Sequence, residues 1–173
     1  MKKIVILAAA MCSALTLSAQ LPAVTGAPIN KQTKVIRNWL VQAQPCDKKT
    51  VSVNLDKNGK VTSHVFSPVK DGFVFFSGNT LKYQKGDSFE MTCKVKGSGS
   101  VTFGYMGYSN TNKFLLSKRS QTFTLKEGEE NTFKATLTVD DGKEFPTATI
   151  RPFIGVNKNS KVELLDLKLI DEE

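Results

Sequence analysis

The stretch from Gly86 to Ser109, GDSFEMTCKVKGSGSVTFGYMGYS, constrains the fold of this chain more than any other. Phe89, Met91, Cys93 and Val95 share one parity, and Glu90, Thr92, Lys94 and Lys96 share the other. After Gly97-Ser98-Gly99, Val101, Phe103 and Tyr105 alternate with Thr102, Gly104 and Met106. Successive strand side chains point to opposite faces, so each run has an apolar face and a more polar one. The glycine-serine turn between them predicts a hairpin. The fold class is therefore all-β.

The N-terminal end reads as an export signal. Lys2 and Lys3 precede an apolar run, Ile4 to Leu17, and Ser18-Ala19 supplies a small-residue exit before Gln20. That run is too short to span a membrane, and cleavage is expected near Ala19-Gln20. Cys12 has more apolar sequence after it, so it belongs to the signal and is not a lipid anchor. The mature chain is expected outside the cytoplasm, secreted or in the periplasm and cell envelope, with no membrane span. It retains Cys46 and Cys93. In an oxidising compartment such a pair reads first as a disulfide, and closing that loop stabilises a fold by about 4 kcal/mol. The alternative is a buried free Cys93 with an unrelated Cys46 in a loop.

The net charge is +8 with the signal, and +6 once Lys2 and Lys3 have gone with it. Scattered lysines favour solubility over a nucleic-acid partner, and an exported protein rarely meets one. Residues 20–34 carry prolines, a glycine and no periodicity, and read as a flexible lead-in; 35–173 reads as one domain.

Within that domain Val35 to Val41 is the first strand candidate. Thr50 to Leu55 and Val61 to Phe66 flank Asn58-Gly59, a strong hairpin cue. Gly72 to Phe76 is apolar on both faces and suits a central strand covered on both sides, or a strand reaching a ligand surface. Lys113 to Ser117, Gln121 to Lys126 and Thr132 to Asp140 follow. Pro152, within the next run, implies an edge or a bulge, because proline cannot donate to a ladder. The alternation of KVELLDLKLI slips at Leu164-Leu165, which predicts a bulge. About eleven short strands with frequent turns make a sandwich or a barrel.

Catalytic patterns do not emerge. His64 is the single histidine of the chain and has no triad partner in sequence; it reads as structural or surface. Most carboxylates fall in turns or the C-terminal tail, and a glycosidase pair is not legible from strand spacing. Two cysteines and one histidine do not form a familiar zinc pattern. No enzyme activity is expected.

Ligand recognition is the better prospect. Tyr108 continues the outward set Thr102, Gly104, Met106, and a strand glycine often marks close approach by a ligand or another backbone. Asn110 follows in a loop, and Arg151 and Phe153 lie opposite Ile150 and Ile154. Rings with amide and guanidinium groups suit a sugar, whose apolar face stacks while its hydroxyls hydrogen-bond. The bland alternative is that Tyr108 and Phe153 cover the rim of the sandwich.

The segments 85–99, 128–142 and 161–170 resemble the β-jelly-roll carbohydrate-binding modules often appended to bacterial polysaccharidases. The likeness rests on Gly86, Phe89 and Lys96, on the strand from Thr132 to Val139, and on Asp166 between apolar residues. It implies an antiparallel two-sheet jelly roll of about eleven strands, a glycan or polysaccharide partner, and a possible structural calcium for which Asp166 is the one position carried over. The chain departs from the pattern at Arg37-Asn38-Trp39 and at Asn131, where tryptophan is common. A second class of partner, another envelope protein docked on a face or edge, remains open.

Overall fold

The computed structural model describes residues 24, 26–30, 36–37, 40–42, 51–69, 71–75 and 80–172. The expected signal at 1–19, Trp39 and Cys46 lie outside them. The strands are β1 (Leu40–Gln42), β2 (Val51–Leu55), β3 (Val61–Phe66), β4 (Gly72–Phe75), β5 (Leu81–Lys82), β6 (Ser88–Ser98), β7 (Ser100–Tyr108), β8 (Phe114–Thr124), β9 (Asn131–Thr138), β10 (Thr149–Val156) and β11 (Lys161–Glu172). A six-stranded sheet runs β1-β4-β10-β7-β8, with β5 also on β10, and a five-stranded sheet runs β2-β3-β11-β6-β9. Every pairing is antiparallel. The result is a two-sheet sandwich of jelly-roll type.

The predicted hairpin at 86–109 is not one. β6 pairs with β11 and β9, whereas β7 pairs with β10 and β8. Gly97-Ser98-Gly99 carries the chain from one sheet to the other, so the two runs face each other across the core. Alternation is identical for a hairpin and for two strands facing across a sandwich, since both bury one parity. The corner needs its glycines: Gly97 and Gly99 have φ of 121° and 93°. A Cβ on Gly97 would lie 1.9 Å from the Lys161 carbonyl oxygen, and one on Gly99 would lie 2.1 Å from Ser160 Oγ.

Other expectations hold. β2 and β3 form the hairpin that Asn58-Gly59 predicts. Gly59, with φ of 75°, takes the left-handed position, and Asp56 Oδ1 accepts from the Asn58 and Lys60 amides. β4 lies between β1 and β10, as its apolar run requires. The ladder of β11 shifts register between Leu164 and Asp166, where the bulge is expected. The runs at 113–117 and 121–126 are instead one strand, β8, kinked by a register shift opposite Phe103.

Pro152 sits within a central strand, not at an edge. Along one side of β10, β5 pairs with Thr149 and Ile150, and β4 takes over at Phe153. Among the described residues, none is registered with Arg151 or Pro152 on that side. Part of the expected lead-in is packed as well. Val24 is buried, the Gly26 amide donates to Val61 O at 2.8 Å, and Ile29 bridges Ile36.

The core fills the space between the sheets. Phe89, Met91, Cys93 and Val95 from β6 meet Val101, Phe103 and Tyr105 from β7, with Ile150, Ile154, Leu164 and Leu167. Phe123 of β8 stacks on Phe133 of β9, centroids 5.0 Å apart, so the ring pair closes the edge where the two sheets meet. Tyr105 ties the sheets together by polar bonds: its hydroxyl donates to Thr138 O at 3.2 Å and accepts from the Asp140 amide at 2.9 Å. Cys93 is a buried free thiol, and desolvation pushes its pKa up to about 12. Its expected disulfide partner, Cys46, is the residue outside the described part.

Candidate functional site

The register of the six-stranded sheet decides which side chains share its outer face. On β7 and β10, Phe103, Tyr105, Ile150 and Ile154 turn into the core, so Gly104, Met106 and Tyr108 turn outward with Arg151 and Phe153. The structure brings three of the expected residues together at one end of this face. The Arg151 guanidinium carbon lies 5.3 Å from the centroid of the Tyr108 ring, a cation–π arrangement. The Tyr108 hydroxyl points to Met106 Sδ at 3.6 Å. Tyr108 is half-buried in consequence.

Gly104 and Phe153 have a different role from the one their sequence suggests. Phe153 is fully buried. A Cβ on Gly104 would lie 2.4 Å from Phe153 Cζ and 2.5 Å from the Lys118 carbonyl oxygen. Glycine therefore makes room for a ring of this same chain and for the neighbouring strand β8. Asn110 is exposed at the tip of the 109–113 loop next to Tyr108. That loop is held by Ser109 Oγ, which accepts from the Thr111 and Lys113 amides, and Asn112 takes a φ of 61°.

Two further rings belong to this end of the molecule. Phe114, the first residue of β8, meets Tyr108 edge-on with centroids 6.1 Å apart, and it is 52% exposed. Phe145, in the loop before β10, is 44% exposed and lies under Lys113 Nζ at 4.6 Å. Phe114, Leu115, Gly142 and Phe145 line a cleft of about 270 Å³. The sequence contains a signal for Phe114: an aromatic residue directly after a polar turn starts a strand at its exposed end. Phe145 has no such signal, because its partner Lys113 is distant in the chain.

A larger cleft of about 570 Å³ lies on the other sheet, lined by Ser52, Asn54, Lys96, Glu127, Lys161 and Glu163 among others. Its Glu163 is engaged within the sheet: Oε1 accepts from Ser63 Oγ at 2.5 Å and from Asn54 Nδ2 at 3.0 Å. Among the described residues this cleft has no aromatic wall, so the smaller aromatic end fits a stacking ligand better despite its size.

Asp166, the position carried over for calcium, makes only local contacts. Its Oδ1 accepts from the Leu167 amide and its Oδ2 lies 3.8 Å from Lys168 Nζ. Among the described residues no three His, Cys, Asp or Glu gather anywhere. Asn131, where the modules often carry tryptophan, is a turn clamp: its Oδ1 accepts from the Lys126 amide and its Nδ2 donates to Lys126 O and Glu129 O. His64 is fully buried and stacks on Phe66 with centroids 4.2 Å apart. Desolvation lowers its pKa to about 3.

No protein-family model and no curated protein sequence matches the chain. Solved structures do. The CBM22-1 xylan-binding domain from Paenibacillus barcinonensis Xyn10C superposes with a TM-score of 0.57 at 10% identity, over 89% of this chain and 95% of that one. The CBM22-1-GH10 modules of Clostridium thermocellum Xyn10B, complexed with xylohexaose, give 0.58 at 11% identity over 89% of this chain and 28% of theirs. An arabinose-bound MgGH51 α-L-arabinofuranosidase gives 0.58 at 11% identity, and this chain spans 26% of its length. At these identities the likeness establishes the fold alone, a two-sheet sandwich of jelly-roll type.

Proposed function

We propose that the protein is an exported, non-catalytic module that binds a glycan on the outer face of the six-stranded sheet, at the end carrying Tyr108, Phe114 and Arg151. The observation that carries this reading is the half-exposed Phe114 ring set edge-on to Tyr108, with a guanidinium over the tyrosine. Such a group offers an apolar surface to a pyranose ring and N–H donors to its hydroxyls. The xylan-binding domain and the xylohexaose complex that share the fold make β-linked xylan one reasonable member of a test panel.

The test is a glycan-array screen of the mature chain beside Tyr108→Ala and Phe114→Ala. One sugar class should bind, and each truncation should weaken it by about 1–3 kcal/mol, the scale of one buried aromatic contact. Absence of binding across plant, host and bacterial glycans would reject the reading.

The cleft between Phe114, Leu115 and Phe145 favours a second reading, in which an apolar side chain of another envelope protein docks there. In that case Phe145→Ala would abolish a pull-down from the envelope while leaving glycan binding intact.

A further inference from the structure

The charges of this protein are sorted by sheet. The strands of the six-stranded sheet contain no Asp or Glu at all, while those of the five-stranded sheet contain Glu90, Glu163, Asp166, Asp171 and Glu172. The basic residues do not follow the same division. Three of them lie on the outer face of the six-stranded sheet: Lys82 opposite Thr149 on β5, Arg151 on β10, and Arg119 opposite Gly104 on the exposed strand β8. The fourth strand cation, Lys118, points to the other side and pairs with Asp140 at 2.5 Å. The loop carboxylates at this end are also engaged, Asp141 with Lys85 and Glu144 with Lys113. On the opposite sheet, lysines and carboxylates interleave instead, as in Lys94 and Lys96 with Glu130, Lys134 with Glu90, and Lys168 with Asp166.

From this segregation we infer that the ligand of the Tyr108 face is an acidic polysaccharide bearing uronate carboxylates. The inference rests on the glycan reading of that face. Arg151 and Arg119 lie two strand spacings apart, roughly 10 Å across the sheet, so a chain crossing from β10 to β8 meets both. A guanidinium presents a planar fork of N–H donors that matches a carboxylate in two parallel hydrogen bonds, and it stays charged at every physiological pH. A face of one sign also concentrates a polyanion before contact. A neutral glycan would meet the rings and the N–H donors but draw nothing from the sign of the face. A uronate chain uses the rings and the charge alike.

The experiment is affinity electrophoresis and calorimetry of the mature protein with polygalacturonate and alginate, with the same polymers after methyl esterification, and with dextran sulfate. Binding to at least one uronate polymer should weaken tenfold or more on esterification, and should fall away toward about 1 M salt, where the screening length is about 3 Å. Arg119→Gln, on an exposed strand, should weaken it about three- to tenfold. Lys168→Gln, which removes the same charge from the opposite sheet, should change it by less than about twofold. Esterified and free polymers binding alike would overturn the inference, as would dextran sulfate binding best, or Lys168→Gln matching Arg119→Gln. Neutral glycans that bind and are lost in Tyr108→Ala would leave the glycan reading standing and reject the uronate. If no polysaccharide binds, both fall.

Discussion

His64 shows how burial alone changes a residue's chemistry. Its imidazole is stacked on Phe66 within the sandwich, and desolvation holds it neutral down to about pH 3. The unfolded chain takes up that proton near the ordinary imidazole value of 6.5. Between those values the unfolded state binds more protons, so stability declines as pH falls from 6.5 toward 3. From about pH 7.5 to pH 4.5, His64 contributes a loss of roughly 2–3 kcal/mol. Urea titrations should therefore show the wild type losing that much more than His64→Leu over the same interval. Equal pH slopes would mean that the ring is solvated. Cys93 follows the same logic with opposite sign: burial raises the thiol, so a maleimide at neutral pH should label it only after unfolding. Gly104 carries a related lesson, since its missing side chain accommodates Phe153 and not a ligand.

At the level of elements, the corner at Gly97-Ser98-Gly99 decides the topology. It must reverse the chain and pass tightly against Lys161 and Ser160. Gly97→Ala should cost about 3 kcal/mol or more, because a backbone oxygen occupies the Cβ position and φ lies in the left-handed region. Gly128→Ala serves as the comparison. It has a φ of 81° but nothing within 4 Å of its Cβ, so it should cost only about 1 kcal/mol. Chemical denaturation of the two variants measures the difference, and similar values would show that the corner relaxes. Pro152 makes the complementary point: it sits in a central strand, paired with Tyr105, where proline's local preference for an edge would not place it.

The whole molecule depends on the contact between its sheets. The apolar cluster draws on both, Phe123 and Phe133 stack across one edge, and Tyr105 bonds to the backbone at the end of β9 and just after it. Neither sheet can keep its inner face dry alone. Thermal and urea unfolding should accordingly be one cooperative transition, with far- and near-ultraviolet circular dichroism coinciding. Separate midpoints would show that one sheet survives without the other. Charge is organised at this scale too, since the two sheets present outer faces of different character: one carries cations and rings, the other paired ions.

Sequence by itself determined the all-β class, the approximate strand count, the β2–β3 hairpin, the bulge of β11 and the inward parity of Phe89, Phe103 and Phe133. These depend on period-two alternation and local turn chemistry, which reach only a few residues along the chain. It also placed Tyr108, Met106 and Arg151 on outward positions. Tertiary structure decided which strands are neighbours, because a residue's parity is indifferent to whether its strand pairs sideways or faces across a core. That choice turned a predicted hairpin into a corner and buried Phe153 against Gly104. It also brought Phe145 under Lys113, a contact between residues too far apart along the chain to leave a local signal.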